Sequence, residues 1–307
     1  MEAIKELAYA KINIFLDVLK KTDDGFHDLL TIMQLISLHD EVYLELNNEN
    51  RINITCENIE VGTAPEQNLA YIAAEKFYEK YNTPNAQKVN IRIIKNIPVA
   101  SGLGGGSADA AAVLRGLNKL FDKPFTEKEL CEIGIQIGSD IPFCIVGGTQ
   151  ICYGRGIPHL DIYGIQHYYI VTACADKKLS TKDAYRRLDE EYNNFALHTS
   201  AVDYDCVLSH LMSRRCRLAF PYLYNVFDLI YDENSGVQRI KRLMMENDGA
   251  FAMVSGSGPT VFGLFDDMIY AEDMQEILRK EGIESQISHP INLLYSEMKE
   301  GECHWKY

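Results

Sequence analysis

The chain has 307 residues, of which 47% are hydrophobic, enough for one large core or two ordinary ones, and two domains is the expectation at this length. A net charge of −14 argues against duplex nucleic acid or an anionic membrane as partner, since both require a basic face. No apolar run nears the roughly 18 residues of a membrane span, and the start Met-Glu-Ala-Ile-Lys-Glu lacks a signal-peptide core, so a cytoplasmic protein is expected. Eight cysteines without Cys-x-x-Cys spacing fit reduced, buried thiols better than disulfides or a zinc site.

From Leu7 to Leu19 the residues alternate as a strand, with Lys11 and Asn13 on one face and Ile12, Ile14 and Leu16 on the other. A strand lysine is usually a solvated edge residue. Here Asn13 shares its side and the flanks are apolar, so this face is a candidate cleft wall, with Lys11 placed to contact phosphate or shift a neighbour's pKa. Asp24-Gly25 marks the tip of a turn joining two strands of a hairpin. Just past it, Phe26 and His27 either anchor the hairpin or stack on and hydrogen-bond a planar heterocycle, and the residues alone leave both readings open. Short strands are predicted over Thr31 to Leu38, Glu41 to Leu46 and Arg51 to Cys56. A helix follows over Glu66 to Tyr81, with Leu69, Ile72, Ala73 and Phe77 on one face, then a strand through Val89, Ile91 and Ile93.

The stretch from Pro98 to Ala112 carries four glycines in five positions (Gly102, Gly104, Gly105, Gly106) ahead of an alanine-rich helix. Ser107 is the expected N-cap, and Asp109 is expected in the first turn, pointing away from any anion. Strand, glycine loop and helix N-terminus together form an anion cradle, since free N–H groups and the helix dipole face the loop. Neither familiar phosphate motif fits. The Walker pattern needs a lysine that is absent from Pro98 to Arg115, and the dinucleotide fingerprint needs glycine where Ser107 stands.

A capping box at Thr126 and Glu129 opens a helix running through Ile137. Asp140 follows Gly138 and precedes Pro142, so its backbone is stiff. It either caps a turn or acts as a general base or metal-orienting carboxylate. Gly147 to Cys152 and Gly154-Arg-Gly156 close a first domain over 1–156, and the pattern changes beyond it. The second domain, 157–307, is read as a strand over Gln166 to Ala173, a helix capped by Ser180-Thr181 and a polar loop over 190–200. Helices at Cys206 to Met212, Asn225 to Tyr231 and Gly236 to Glu246 follow, then strands over Ala250 to Val254 and Val261 to Phe265, a helix over Met268 to Lys280 and a strand at Ser285 to Ile287. The Ser255-Gly-Ser-Gly258 loop is either a plain tight connection, the reading it would carry alone, or, with a cradle elsewhere in the chain, a loop that packs on the first glycine loop and lines the cleft between the domains.

Three separated motifs resemble those of the GHMP kinase superfamily: Ala10-Lys-Ile-Asn-Ile14, Pro98 to Ala112, and Ser255-Gly-Ser-Gly-Pro-Thr-Val-Phe262. Gly25-Phe-His-Asp-Leu29, Gly102 to Ser107 and Gly138-Ser-Asp-Ile-Pro142 place the likeness in the branch that acts on 4-diphosphocytidyl-2-C-methyl-D-erythritol in the non-mevalonate route to isoprenoid precursors. The resemblance implies an α+β, two-domain fold, with a ribosomal protein S5 domain 2-like N-terminal domain, a ferredoxin-like C-terminal domain and ATP and a small-molecule substrate in the cleft. It implies Asp140 as catalytic base, Lys11 as its cationic partner, and Mg²⁺ with ATP, without naming the metal's protein ligands. The loop residues Pro98, Ser101, Gly102, Leu103, Gly104, Gly105, Gly106 and Ser107 would hold the phosphates, with Asn68 and Lys95 near the nucleotide. His27 would read the cytosine edge between the rings of Phe26 and Tyr185, and Asn13 and Thr181 would touch the substrate.

The sequence departs from the family pattern at three places: Phe26 replaces the usual tyrosine, Ala108 a common second serine and Pro259 a small residue. The competing expectations are a GHMP kinase for mevalonate, homoserine or a sugar, which has no need of Phe26, His27 and Tyr185, and an inactive nucleotide-binding protein, against which Lys11 and Asp140 both argue.

Overall fold

The computed structural model describes residues 3–59, 62, 64–175, 180–191, 204–213 and 215–292. Most of the polar loop expected over 190–200, together with 293–307, lies outside them. The frame is one long hairpin, β1 (Ala3–Lys21) and β2 (His27–Asn47), paired from Ala3 opposite Glu45 to Lys21 opposite His27. Gly25 at its tip has φ +83°, as the turn requires.

β2 is continuous where two short strands were expected. Its second edge changes partner along its length, and this holds the polar stretch around His39 and Asp40 extended. β5 (Thr149–Gly154) pairs with Leu29 to Gln34, β4 (Lys88–Ile94) pairs with Glu41 to Asn47, and between them the N–H groups of Leu35 and Ser37 donate to Gly148 and His289. β3 (Asn53–Glu57) adds to β4 in parallel, and β6 (Ile157–Asp161) adds to β5. The first sheet therefore runs to Asp161, so residue 156 lies inside the β5–β6 hairpin.

Four helices, α1 (Leu69–Tyr81), α2 (Gly105–Leu120), α3 (Glu127–Gly134) and α4 (Ile141–Val146), accompany this sheet. The central one, α2, buries Ala108, Ala110, Ala111 and Ala112, and small side chains let it come close to its neighbours. At Gly116 the fit is tightest, for a Cβ there would lie 2.2 Å from Leu44 of β2. The capping box at Thr126 and Glu129 forms as expected, but α3 ends at Gly134, where a Cβ would stand 2.7 Å from Ile141.

The second sheet holds β7 (Tyr169–Cys174), β8 (Phe251–Val254), β9 (Thr260–Phe265) and β10 (Ser285–Ser288), all antiparallel in the order β10-β7-β9-β8, the ferredoxin-like arrangement. α5 (Thr181–Glu191), α6 (Tyr204–Met212), α7 (Cys216–Ala219), α8 (Gly236–Glu246) and α9 (Met268–Lys280) are the α-helices of this half among the described residues. Stripes of Val237, Ile240 and Met244 on α8 and Ala271, Met274 and Leu278 on α9 pack on Val171 and Val261 of the sheet. The segment expected as a helix from Asn225 is a 3₁₀ turn, Val226–Ile230, capped by the Asn225 side chain.

One core residue is out of place for stability. Asp17 on β1 is fully buried; among the described residues its Oδ1 accepts the N–H of Val18 and its Oδ2 has no hydrogen-bond partner. Burial raises its carboxyl from 3.8 to about 6. The unfolded chain releases this proton first, so stability contributed by the neutral acid is lost as pH rises from about 4 to about 6, by about 3 kcal/mol in all. Asp17→Asn is therefore expected to raise stability at pH 7 by about 2 kcal/mol and to flatten that limb of the profile. Chemical denaturation at pH 4, 5, 6 and 7 measures both, and an unchanged slope would refute the assignment.

Candidate active site

A cleft of about 1000 Å³ opens where the β1–β2 hairpin, the glycine loop, the start of α4, α5 and the Ser255–Gly258 loop converge. It takes in every sequence-predicted site residue except Leu103, which is buried in the core and contributes only its carbonyl, accepting the N–H of Lys11 at 2.9 Å.

The glycine loop joins β4 to α2, and its helix begins earlier than expected. The N-cap is Gly104 (φ +73°), and Ser107 is the third helical residue. The N–H groups of Gly105, Gly106 and Ser107 thus have no acceptor within the helix and stand at the cleft wall. Two glycines are required by their surroundings. Gly102 has φ +87°, and a Cβ on it would lie 2.4 Å from the carbonyl oxygen of Ser255. A Cβ on Gly104 would lie 3.0 Å from the Lys11 stem. The Ser255–Gly258 loop packs on the first glycine loop, the second of its two readings: Ser255 Oγ donates to Gly102 O at 3.2 Å and Thr260 N–H to Ser101 O at 3.2 Å. Asn225 holds this second loop from behind, donating to Val254 O and Gly256 O. Gly102→Ala combines left-handed strain of about 1–2 kcal/mol with a clash against backbone that cannot rotate away. Nucleotide affinity should fall about tenfold or more. Calorimetric titration of wild type and variant with ATP tests this, and equal affinities would show that the two loops do not depend on each other.

At the start of α4, Asp140 occupies the N-cap position but makes no capping hydrogen bond. Its side chain is 34% exposed and faces Lys11, whose Nζ is 3.4 Å from Oδ2. The turn-capping alternative is thereby excluded. Lys11 is buried, and its Nζ also donates to Asn13 Oδ1 at 2.6 Å. Asn13 Nδ2 donates to Thr31 Oγ1 at 2.9 Å, and Thr31 donates to Phe15 O at 2.7 Å. This chain has a single direction, so it fixes the Asn13 amide and holds the ammonium against Asp140. A bulge between Asn13 and Phe15 also turns Leu16 toward the cleft, away from the core face that simple alternation assigned to it.

Lys95 is not the free cation that an anion cradle would draw on. It is buried between Asp40 and Asp109, donating to Asp109 Oδ2 at 2.7 Å and also to Asp40. Asp40 in turn accepts the N–H groups of Asn96 and Ile97, at 2.5 and 2.8 Å. Burial first, then the proximity of Asp40, raises the Asp109 carboxyl, against the attraction of Lys95. Asp109 lies in the second turn of α2, not the first, so it answers Lys95 beneath the loop without competing for its N–H groups. The triad braces the strand-to-loop junction, so Lys95 is already balanced and Lys11 and Lys182 are among the basic side chains that line the cleft beside it. Asn68 likewise combines two roles, lining the cleft while its side chain caps α1 through the N–H of Ala70.

At the far end, Phe26 is 55% exposed on the hairpin tip, with the Arg155 guanidinium 4.2 Å from its ring centroid and Arg155 also paired with Asp24. His27 stacks on Tyr185 at 4.6 Å and 21° between planes, and the edge of Tyr185 meets Phe227 at 90°. The expected residues do gather here, but each ring already has a neighbour within the chain on one face. Thr181, the first residue of α5, completes this wall.

The model for the GHMP kinases N terminal domain matches residues 68–148, and that for GHMP kinases C terminal matches 209–284. A 4-diphosphocytidyl-2-C-methyl-D-erythritol kinase of Caldicellulosiruptor bescii is 36% identical, over 90% of this chain and 94% of the relative. The chain belongs to the GHMP kinase family. A relative of the same description from Clostridium perfringens is 38% identical, over 90% of this chain and 93% of its own. A crystal structure of 4-(cytidine 5'-diphospho)-2C-methyl-D-erythritol kinase superposes with a TM-score of 0.76 at 25% identity, covering 94% of this chain and 99% of that one. As a GHMP kinase the chain uses ATP as phosphoryl donor, and no helix among the described residues is long and apolar enough to cross a membrane.

Three residues of this GHMP kinase site escaped the sequence. Thr31 orients Asn13 from the neighbouring strand, and only the register could have shown it. Arg155, between two turn glycines, meets Phe26 through the β5–β6 hairpin. Asp189 was the accessible one, since it follows Tyr185 by four residues in a helix and so shares its face.

Proposed function

We propose that this GHMP kinase transfers the γ-phosphoryl group of ATP to a hydroxyl of 4-diphosphocytidyl-2-C-methyl-D-erythritol, giving the 2-phosphate and ADP. The observation that carries the choice of acceptor is the stacked His27–Tyr185 pair beside Phe26, in the same cleft as Asp140 and Lys11. A base needs such a wall, whereas mevalonate, homoserine or a sugar does not.

Phosphoryl transfer asks mainly for positioning and charge stabilisation. The N–H groups of Gly105, Gly106 and Ser107 hold the phosphates in place. The substrate hydroxyl lies against Asp140, which takes its proton as oxygen bonds to the γ-phosphorus and the bond to the bridging oxygen of ADP breaks. Lys11, fixed through Asn13 and Thr31, counters the negative charge on Asp140 and on the transferring group. Thr181 and Asn13 contact the substrate.

Mg²⁺ fits this site as an ion held chiefly by phosphate. Among the described residues no group of three His, Cys, Asp or Glu side chains could cage it, and Mg²⁺ usually takes one or two protein oxygens with phosphate and water. The Ser107 hydroxyl, at the cleft wall and without a hydrogen-bond partner among the described residues, is the oxygen we assign to it. When bound, the ion neutralises charge on the phosphates.

Steady-state inhibition tests the acceptor. CMP should compete with 4-diphosphocytidyl-2-C-methyl-D-erythritol and not with ATP, and mevalonate and homoserine should not be phosphorylated. Failure of CMP to compete would refute the cytidyl assignment.

A further inference from the structure

Between Ser255 and Gly258 the chain makes a tight turn, closed by the Gly258 N–H on Ser255 O at 3.0 Å, with Gly256 (φ +56°) and Ser257 at its centre. Both central residues line the cleft, and Ser257 is only 9% exposed. Buried backbone N–H groups are nearly always paired, yet among the described residues no atom accepts the N–H of Ser257. We propose that this N–H, aimed by Asn225, donates to an oxygen of the phosphoryl group as it passes from ATP to the acceptor, so that the C-terminal half of the chain supplies a catalytic donor alongside those of the first glycine loop. This rests on Lys11 and Asp140 marking the transfer centre, and not on which acceptor is bound.

The direction of the donor follows from its peptide plane. In a trans peptide the N–H points opposite to the carbonyl of the preceding residue. Gly256 O accepts from Asn225 Nδ2 at 3.0 Å, and Asn225 is 1% exposed and no part of the cleft wall. The Gly256 carbonyl is therefore turned into the protein and the Ser257 N–H toward the cleft. This plane is held fast. Asn225 also donates to Val254 O and accepts the Phe227 N–H, and the next carbonyl, Ser257 O, accepts from Tyr231 Oη at 2.6 Å. The turn also stands at the transfer centre, since a Cβ on Gly256 would lie 3.6 Å from Lys11 Nζ, the ammonium that faces Asp140 at 3.4 Å. There the acceptor oxygen bonds to the γ-phosphorus, the bond to the bridging oxygen of ADP breaks, and the hydroxyl proton goes to Asp140. Charge in that step is spread over the outer oxygens of the transferring group. A donor already fixed in place stabilises it without reorganisation.

Two experiments test this. In wild type carrying nitrogen-15 serine, the Ser257 amide signal, identified by its loss in Ser257→Ala, should move downfield when ADP, Mg²⁺ and aluminium fluoride bind together with the acceptor. It should stay in place with the acceptor alone or with ADP alone. Ser257→Pro removes the donor itself: the φ of Ser257 is outside the left-handed region and its N–H has no partner in the described chain to lose, so the turn accommodates proline. Compared with Ser257→Ala, which keeps the N–H, kcat should be lower by about 100-fold or more, with the KM for ATP within about threefold, as for an interaction made only in the transition state. Calorimetric ATP binding checks that the proline variant folds, and the wild-type spectra decide if it does not. An amide signal that stays in place with aluminium fluoride, one that moves with the acceptor alone, or equal kcat in the two variants with ATP bound would overturn the inference. The cytidyl reading fails separately, through the CMP experiment, because ADP and aluminium fluoride fill the transfer centre with either acceptor or water opposite.

Discussion

Asp140→Asn should lower kcat by about 100- to 10,000-fold, the span over which a positioned proton acceptor contributes, while ATP affinity stays within about twofold. The substitution keeps the size of the side chain and its place ahead of Pro142. It needs no replacement cap, because Asp140 makes no capping hydrogen bond to lose. What goes is the ability to take a proton and the charge that faces Lys11. Stopped assays of ADP formation with saturating substrate, beside calorimetric ATP binding, separate the two effects. Turnover within tenfold of wild type would remove Asp140 from the role of base.

Lys11→Met is the second large effect, expected to cost about 100- to 1,000-fold in kcat, in the range seen when one preorganised electrostatic donor is removed. Methionine fills the channel beside Gly104 that the lysine stem occupies, so packing is largely kept. The variant nevertheless strands Asn13 Oδ1 and leaves Asp140 without its counter-charge. Lys11→Arg should not rescue it, because the stem already runs within 3.0 Å of where a Cβ on Gly104 would stand, and a planar guanidinium is bulkier. Comparable activity in Lys11→Arg and wild type would mean that charge alone, and not the Asn13–Thr31 relay, is what the site needs.

Local signals carried much of this architecture. α8 and α9 lie where their periodicity put them, because a surface helix writes its apolar stripe directly into the sequence. The glycine loop announced itself through composition, and Lys11, Asn13, His27, Tyr185 and Asp140 all reached one cleft. What the sequence withheld was set by long-range partners. β2 reads as two strands because its middle is polar, and only β4, β5 and the backbone near His289 keep it extended. Ser107 has the chemistry of an N-cap, yet Gly104 takes that place because the Ser255–Gly258 loop and Lys11 press on the chain at Gly102 and Gly104, five and three residues earlier. Asp109 reads as an awkward carboxylate near an anion site until Lys95, just past the end of β4, and Asp40 of β2 are brought beneath it. Leu16 changed sides because the bulge between Asn13 and Phe15 inverts the positions that follow it, as far as the next bulge after Val18.

The central claim is phosphoryl transfer from ATP to the methylerythritol end of a cytidine diphosphate compound. Phosphorus-31 spectra of a reaction containing ATP, Mg²⁺ and 4-diphosphocytidyl-2-C-methyl-D-erythritol measure it directly. The account predicts one new phosphomonoester signal that grows in step with ADP while the diphosphate of the acceptor stays intact. ADP released without that signal, or a phosphomonoester formed on mevalonate or homoserine but not on this acceptor, would contradict it.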